Sequence, residues 1–386
     1  MNQPLINRVR ERLAAQSSPI RPANMAAAIR AESFGVLGDS EVLRSMRRLE
    51  CELTGLGVLE PLFASETVTD VLVTGPDAVW FDDGDGLRRS DIRFPDEASV
   101  RRLAQRLAVS AGRRLDEAQP WADGRLNGVG PVARTIRLHA VLPPVGSTTY
   151  LSLRVLRPAT QGFAALKAGG AFCGDIAELL LSIIRARLAF IVSGGTGAGK
   201  TTLLAALLAT VPAEERIICV EDAAELAPPH PHLVRLVARA ANIEGIGEIT
   251  LRDLVRQALR MRPDRIVVGE VRGAEVVDLL AALNTGHDGG AGTVHANSPA
   301  EVPARLEALG SLGGLDRRAL HSQLAAAIQV VVHVGRGSDG RRVEEIALLR
   351  RDHSGLVQAT PVWRIENGRG PGFDELRHMV ADRDSR

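Results

Sequence analysis

The sequence predicts an α/β fold, a doubly wound and mostly parallel sheet preceded by a smaller α+β domain. Three observations carry this expectation. Residues 188–208 (LAFIVSGGTGAGKTTLLAALL) run from a buried strand through a glycine-rich loop into a helix. After them, short apolar runs alternate with helical stretches, the order that a parallel sheet with crossover helices requires. Before them, short strands are punctuated by Gly75-Pro76-Asp77, Asp85-Gly86 and Pro143-Pro144.

The loop itself reads Gly194, Gly195, Thr196, Gly197, Ala198, Gly199, Lys200, Thr201, Thr202 and fits G-x-x-x-x-G-K-[ST] without a mismatch. Loop N–H groups converge on phosphate oxygens in such a motif, and a Cβ at the glycine positions would obstruct the approach. The following helix adds its unpaired N–H groups and positive dipole end. Lys200 reaches the β- and γ-phosphates and Thr201 offers a hydroxyl to Mg²⁺. Of 47 Lys plus Arg residues only Lys167 and Lys200 are lysine, so a compact ammonium stands where a point charge is wanted rather than a planar fork. An ordinary glycine turn before a helix would not need that choice.

At 386 residues the chain suits two domains and a small N-terminal extra. Apolar content of 45% supports real cores, while a net charge of +1 and 3% aromatics argue against a dedicated nucleic-acid binder. Three well-separated cysteines, Cys51, Cys173 and Cys219, suggest reduced thiols and a cytoplasmic setting. The N-terminus shows no signal-peptide apolar region, and no apolar run reaches the ~18 residues of a membrane span, so any membrane role is expected to be peripheral.

Residues 1–40 read as a helical extension in which Leu5, Val9 and Leu13 recur at helical spacing. Residues 41–155 read as the α+β domain, with a helix at 42–54, strands at 68–74 and 78–81, a turn at 82–86, a helix at 99–111, and strands at 134–141 and 149–155. Arg137 and Arg154 lie on the last two strands and Arg125 just before them. Residues 156–175, rich in glycine, suit a hinge-like linker. In the sheet domain, 176–386, helix 176–186 leads into the loop strand. Strands follow at 216–220, 265–270, 291–295 and 329–334, with helices from Thr250, at 274–283, 299–309 and 317–328, and two antiparallel strands at 342–349 and 357–365. The polar tail after Asn367 is expected to fray.

Phosphate chemistry needs more than a cradle: a carboxylate to prepare water, a group near Mg²⁺ and positive charge at the γ-phosphate. Ligands bind at the carboxyl ends of strands in such sheets. Two acidic strand ends qualify, Glu221 in ICVEDAAEL, with Asp222 and Glu225 beside it, and Glu270 in RIVVGEVRG. His287 and His295, in the glycine-rich stretch 285–297, are not at a convincing metal spacing. A γ-phosphate sensor suits them better.

With these boxes in view the chain resembles the type II/IV secretion ATPases (the GspE, PilT and VirB type), most closely the TadA/CpaF tight-adherence branch that drives Flp pilus assembly. The resemblance covers residues 50–335 and rests on LEPLFASETVTDVLVTGPDAVW, RLHAVLPP, SGGTGAGKTT, VEDAAEL, QALRMRPDRIVVGEVRG and NTGHDGGAGTVHANSPAEVPARLE. It implies a RecA-like ATPase domain behind a PAS-like N-terminal domain, ATP and Mg²⁺ as cofactors, a homohexamer, and inner-membrane platform proteins as partners. It further implies that Glu221 prepares the water, that Glu270 stands near Mg²⁺, and that His295, with His287 second, senses the γ-phosphate. Arg137 and Arg154 are its arginine-finger candidates and Arg125 the third. The alternatives are a conjugal DNA-transfer motor sharing the same boxes, a small-molecule kinase and a nucleotide switch without motor work.

Overall fold

The computed structural model describes residues 8–9, 12, 22–34, 37–53, 55–130, 132–337 and 340–384. The chain divides into two compact units, 1–157 and 158–386.

In the first unit, helices Pro22–Glu32 and Asp39–Leu53 bury Met25, Ala28, Ile29, Val42 and Leu49 against one another and against Val9. The helical extension therefore runs to Leu53 and not to residue 40, because the apolar stripe of the second helix faces Ile29 in a core of its own. Leu5 and Leu13 lie outside the described residues.

The rest of this unit is an antiparallel sheet of six strands: β1 Asp70–Val73, β2 Val79–Asp82, β3 Leu87–Arg89, β4 Trp121–Val129, β5 Arg134–Val141 and β6 Tyr150–Leu156. Their order is β3-β2-β1-β6-β5-β4. Alternation decides which side faces the core. Ile136, Leu138 and Ala140 of β5 are fully buried with Leu103 and Leu107 of helix Glu97–Ser110, whereas Arg137 and His139 face outward. Asp96 caps that helix by accepting from the Ser99 N–H. Strand β4 has no counterpart among the strands expected from the sequence. Only Ala122 and Leu126 of it need be apolar, and its glycine has a reason: a Cβ at Gly124 would stand 2.6 Å from Ala111 Cβ.

The second unit is built on nine strands in the order β15-β14-β13-β12-β7-β11-β10-β8-β9. Strands β7 Phe190–Ser193, β8 Ile217–Glu221, β9 Leu233–Val237, β10 Arg265–Val268, β11 Ala291–Val294 and β12 Val330–Gly337 are parallel. Strands β13 Gly340–Arg351, β14 Val357–Arg364 and β15 Gly368–Arg369 continue the sheet antiparallel. The central strands are buried on both faces, as their unbroken Val/Ile runs require. Helices Gly174–Arg185, Lys200–Leu208 and Phe373–Asp384 cover one face. Helices Leu251–Ala258, Glu275–Leu283, Val302–Leu312 and Arg317–Ala327 cover the other.

Two segments differ from expectation here. The glycine-rich stretch 156–175 is not a bare hinge: it holds helix Phe163–Ala168, stacks Phe163 on Phe172 with centroids 4.8 Å apart, and packs on the sheet core. Its three apolar anchors Phe163, Leu166 and Phe172 outweigh the glycines. The polar tail folds as helix Phe373–Asp384, because Phe373, Leu376, Met379 and Val380 recur on one face and bury against the same core. No described helix is long and apolar enough to cross a membrane.

Candidate active site

The glycine loop leaves β7 at the carboxyl edge of the parallel strands. Close packing fixes its first residue, since a Cβ at Gly194 would stand 2.4 Å from the Val334 carbonyl oxygen of β12. Its last glycine, Gly199, takes φ +96° as the residue before helix Lys200–Leu208, a left-handed turn that favours glycine. Around Gly195 and Gly197 the space is open. Lys200 is 7% exposed and donates to the carbonyls of Gly194 (3.0 Å) and Gly195 (2.8 Å). Burial lowers its pKa, opposed by the nearby Glu270 carboxylate. Thr201 and Thr202 occupy the first turn of the helix, half-buried.

Three predicted residues meet at this edge. His295, one residue past β11, brings its ring nitrogens within 3.3 and 3.4 Å of Lys200 Nζ. Its Nε2 lies 2.9 Å from Glu270 Oε1, a close contact without hydrogen-bond alignment. Burial and the Lys200 charge lower the His295 pKa. Burial pushes the Glu270 carboxyl up, but a hydrogen bond from Arg272 and the charges of Arg272, His295 and Lys200 together hold it below the usual range. Arg272 is also supported by Asp222 and Glu225, so it ties the two acidic boxes together.

Glu221, at the end of β8, is 3% exposed and contacts its own turn: Oε1 accepts from the N–H groups of Glu225 (3.1 Å) and Leu226 (2.8 Å). Its Oε2 is buried without a hydrogen-bond partner among the described residues. Burial raises this carboxyl to about 7. It presses on the neighbouring strand, for a Cβ at Gly269 would stand 2.8 Å from Glu221 Cγ. Gly269→Ala is therefore expected to displace Glu221 and lower the stability by about 1–3 kcal/mol through overpacking, read as a lower melting temperature in thermal unfolding.

His287 is not part of this constellation. It precedes β11, its Nδ1 lies 3.2 Å from the Pro263 carbonyl oxygen, and it sits at the amino ends of the strands. A strand rises ~3.3 Å per residue, so the length of β11 separates the two histidines, and His287, contrary to its expected role as a second sensor, does not reach the cradle.

Arg154 and Arg137 are direct register partners, flanked by Arg125 on β4 and Asp70 on β1. They form one row on the outward face of the first unit. Arg154 Nε is 2.8 Å from Asp70 Oδ1, and Arg137 is 3.0 Å from Asp123. The cradle belongs to the second unit. Arg272 was not among the residues expected at the site, although its place two residues past Glu270 was a signal. Nor was His333, a lone polar residue in the apolar run of β12, which shares a 2.9 Å hydrogen bond with Ser193 beneath the loop.

These residues suit a Mg²⁺-bound nucleoside triphosphate. The open cradle with a buried ammonium matches a phosphate chain. The Thr201 hydroxyl in the first turn of the helix and the Glu270 carboxylate, held in its ionised form beside Lys200, are oxygen donors of the kind Mg²⁺ accepts, and Mg²⁺ takes most of its shell from phosphate and water. A family model described as type II/IV secretion system protein matches residues 52–348. The chain belongs to this family. Among its relatives, a Mycobacterium tuberculosis protein provisionally assigned to conjugal transfer is 67% identical over 352 residues, covering 91% of this chain and 100% of the relative. TrbB of Sinorhizobium fredii, also carrying a conjugal-transfer name, is 32% identical over 69% of this chain and 77% of its own length. The DotB ATPase of Legionella pneumophila shares the fold, with a TM-score of 0.54 and 20% identity over 77% of this chain and 80% of DotB. For this type II/IV secretion family chain the cradle, Glu270 and His295 thus converge in a single fold layer.

Proposed function

We propose that the chain hydrolyses ATP as a homohexameric motor at the inner face of the cytoplasmic membrane, driving a conjugation-type transfer machine through its membrane platform proteins. The enzyme class is an ATPase. The single observation that carries the site reading is the convergence of the Lys200, His295 and Glu270 side chains at the strand ends. Conjugal-transfer names among the relatives support the choice of machine. Flp pilus assembly of the tight-adherence type is the second reading, favoured by the motif series of both domains.

When bound, Mg²⁺ neutralises charge on the β- and γ-phosphates. Lys200 and the loop N–H groups would hold the phosphate chain, and Thr201 and Glu270 would hold the metal. Glu221, with a pKa near neutrality, takes a proton from the attacking water. His295 couples the occupied cradle to Glu270. Arg154 and Arg137 supply positive charge to the γ-phosphate from a neighbouring copy.

In either machine the motor works on protein partners rather than on nucleic acid, given a net charge of +1 and few aromatics. Double-stranded DNA is accordingly expected to leave the ATPase rate of the assembled protein unchanged between 50 and 200 mM salt. Stimulation that falls steeply over that range would show direct DNA handling.

A further inference from the structure

We propose that the β12–β13 hairpin supplies a second cationic group to the nucleotide's phosphate chain, Arg341 assisted by Arg336. This rests on the nucleotide reading of the cradle and adds to it a contact from the cradle's own unit, separate from the arginine row of the first unit.

The placement follows from register. Val334 and Val343 are partners across the hairpin, and both belong to the core that packs on helix Lys200–Leu208. Side chains alternate along a strand, so residues two positions further on, Arg336 and Arg341, face the same side. They are themselves direct partners. Strand β12 runs parallel to β7, with Val334 beside Gly194 at the end of the paired region, so the hairpin reaches past the strand ends alongside the loop. The Arg341 stem lies on the loop's last glycine: a Cβ at Gly199 would stand 3.1 Å from Arg341 Cδ. Gly199 immediately precedes the helix N-terminus that holds the phosphate-binding N–H groups. The guanidinium, a few bond lengths beyond Cδ, is thus tethered to the rim of the cradle.

A second observation points to an anion. Directly opposed like charges destabilise an antiparallel pair. Nearby arginines have acids: Arg342 on the hairpin lies 4.0 Å from Glu344, and Arg364 on the adjoining β14 is 3.1 Å from Glu345 of β13. Among the described residues Arg336 and Arg341 have no acidic partner, and both are exposed. A phosphate chain in the cradle offsets that repulsion. Two forks at one rim also suit phosphate better than lysine would, since each presents parallel donors.

The test measures binding of Mg-ADP, and of adenosine as a phosphate-free control, to the full-length protein. Its variants are Arg341→Gln, which removes the charge and keeps the stem, Arg336→Gln and Lys200→Ala. Charge-assisted hydrogen bonds lead us to expect that Arg341→Gln weakens Mg-ADP about 10- to 100-fold, and Arg336→Gln less, with adenosine binding and the nucleotide-free melting temperature unchanged. Wild-type Mg-ADP affinity in Arg341→Gln, alongside its loss in Lys200→Ala, would overturn the hairpin proposal alone. Failure of the wild-type protein to bind Mg-ADP would instead overturn the nucleotide reading itself. Should Arg341→Gln lower the melting temperature, Arg336→Gln carries the test, and its unchanged Mg-ADP affinity would overturn the proposal.

Discussion

Arg154→Ala is expected to keep ATP binding within a few-fold of the parent and to lower turnover by about 10³ to 10⁵, the usual worth of an arginine finger. The fold should tolerate it. Arg154 is more than half exposed, and its partner Asp70 sits on the sheet's outward face. Exposed ion pairs contribute only about 0–1 kcal/mol, so a lost rate cannot be ascribed to unfolding. Arg137, adjacent in the same row, provides the comparison, because the two guanidinium groups share one register position. If single-turnover hydrolysis in Arg154→Ala and in the Arg137/Arg154 double variant matches the parent, the row is a solvated face. Loss in both, with binding retained, assigns it to the γ-phosphate.

Glu221→Gln carries the second large effect. A base buried to a pKa of about 7 is half-protonated at neutral pH. Turnover should therefore fall about tenfold per pH unit below that value and level off above it, and the variant should be about 10² to 10⁴ slower with no such limb. Stability gives an independent readout. The folded carboxyl holds its proton up to about 7, whereas the unfolded one releases it near 4.5. Between those values the folded state binds more protons, so stability falls as pH rises through the window and stays low above it. The ionised form costs the fold about 3 kcal/mol by that difference. Glu221→Gln should remove this slope and unfold at higher denaturant than the parent at pH 8. An unchanged slope would show that another group titrates there.

Much of this was readable in advance, for identifiable reasons. Strand β5 falls on the expected residues because Ile136, Leu138 and Ala140 alternate strictly with polar neighbours. The cradle was readable because its glycines answer to a backbone requirement, φ +96° at Gly199 and contact with Val334 at Gly194. What escaped depended on partners distant in sequence. Strand β4 carries only two buried apolar residues, and its Gly124 gains its reason from Ala111 lying against it. The tail looks frayed until Leu376 finds the core of helix Gly174–Arg185. His287 and His295 are equivalent in a glycine-rich stretch and differ only once β11 separates them. Arg341 became visible only through the hairpin register, which no local pattern encodes.

ATP hydrolysis at the cradle around Lys200 is read as release of free inorganic phosphate from Mg-ATP, measured for the assembled protein beside Lys200→Ala. Steady release by the parent and none by the variant is the predicted result. Equal release by both, or a parent that binds Mg-ATP yet frees no phosphate or passes it to a small acceptor, would contradict it.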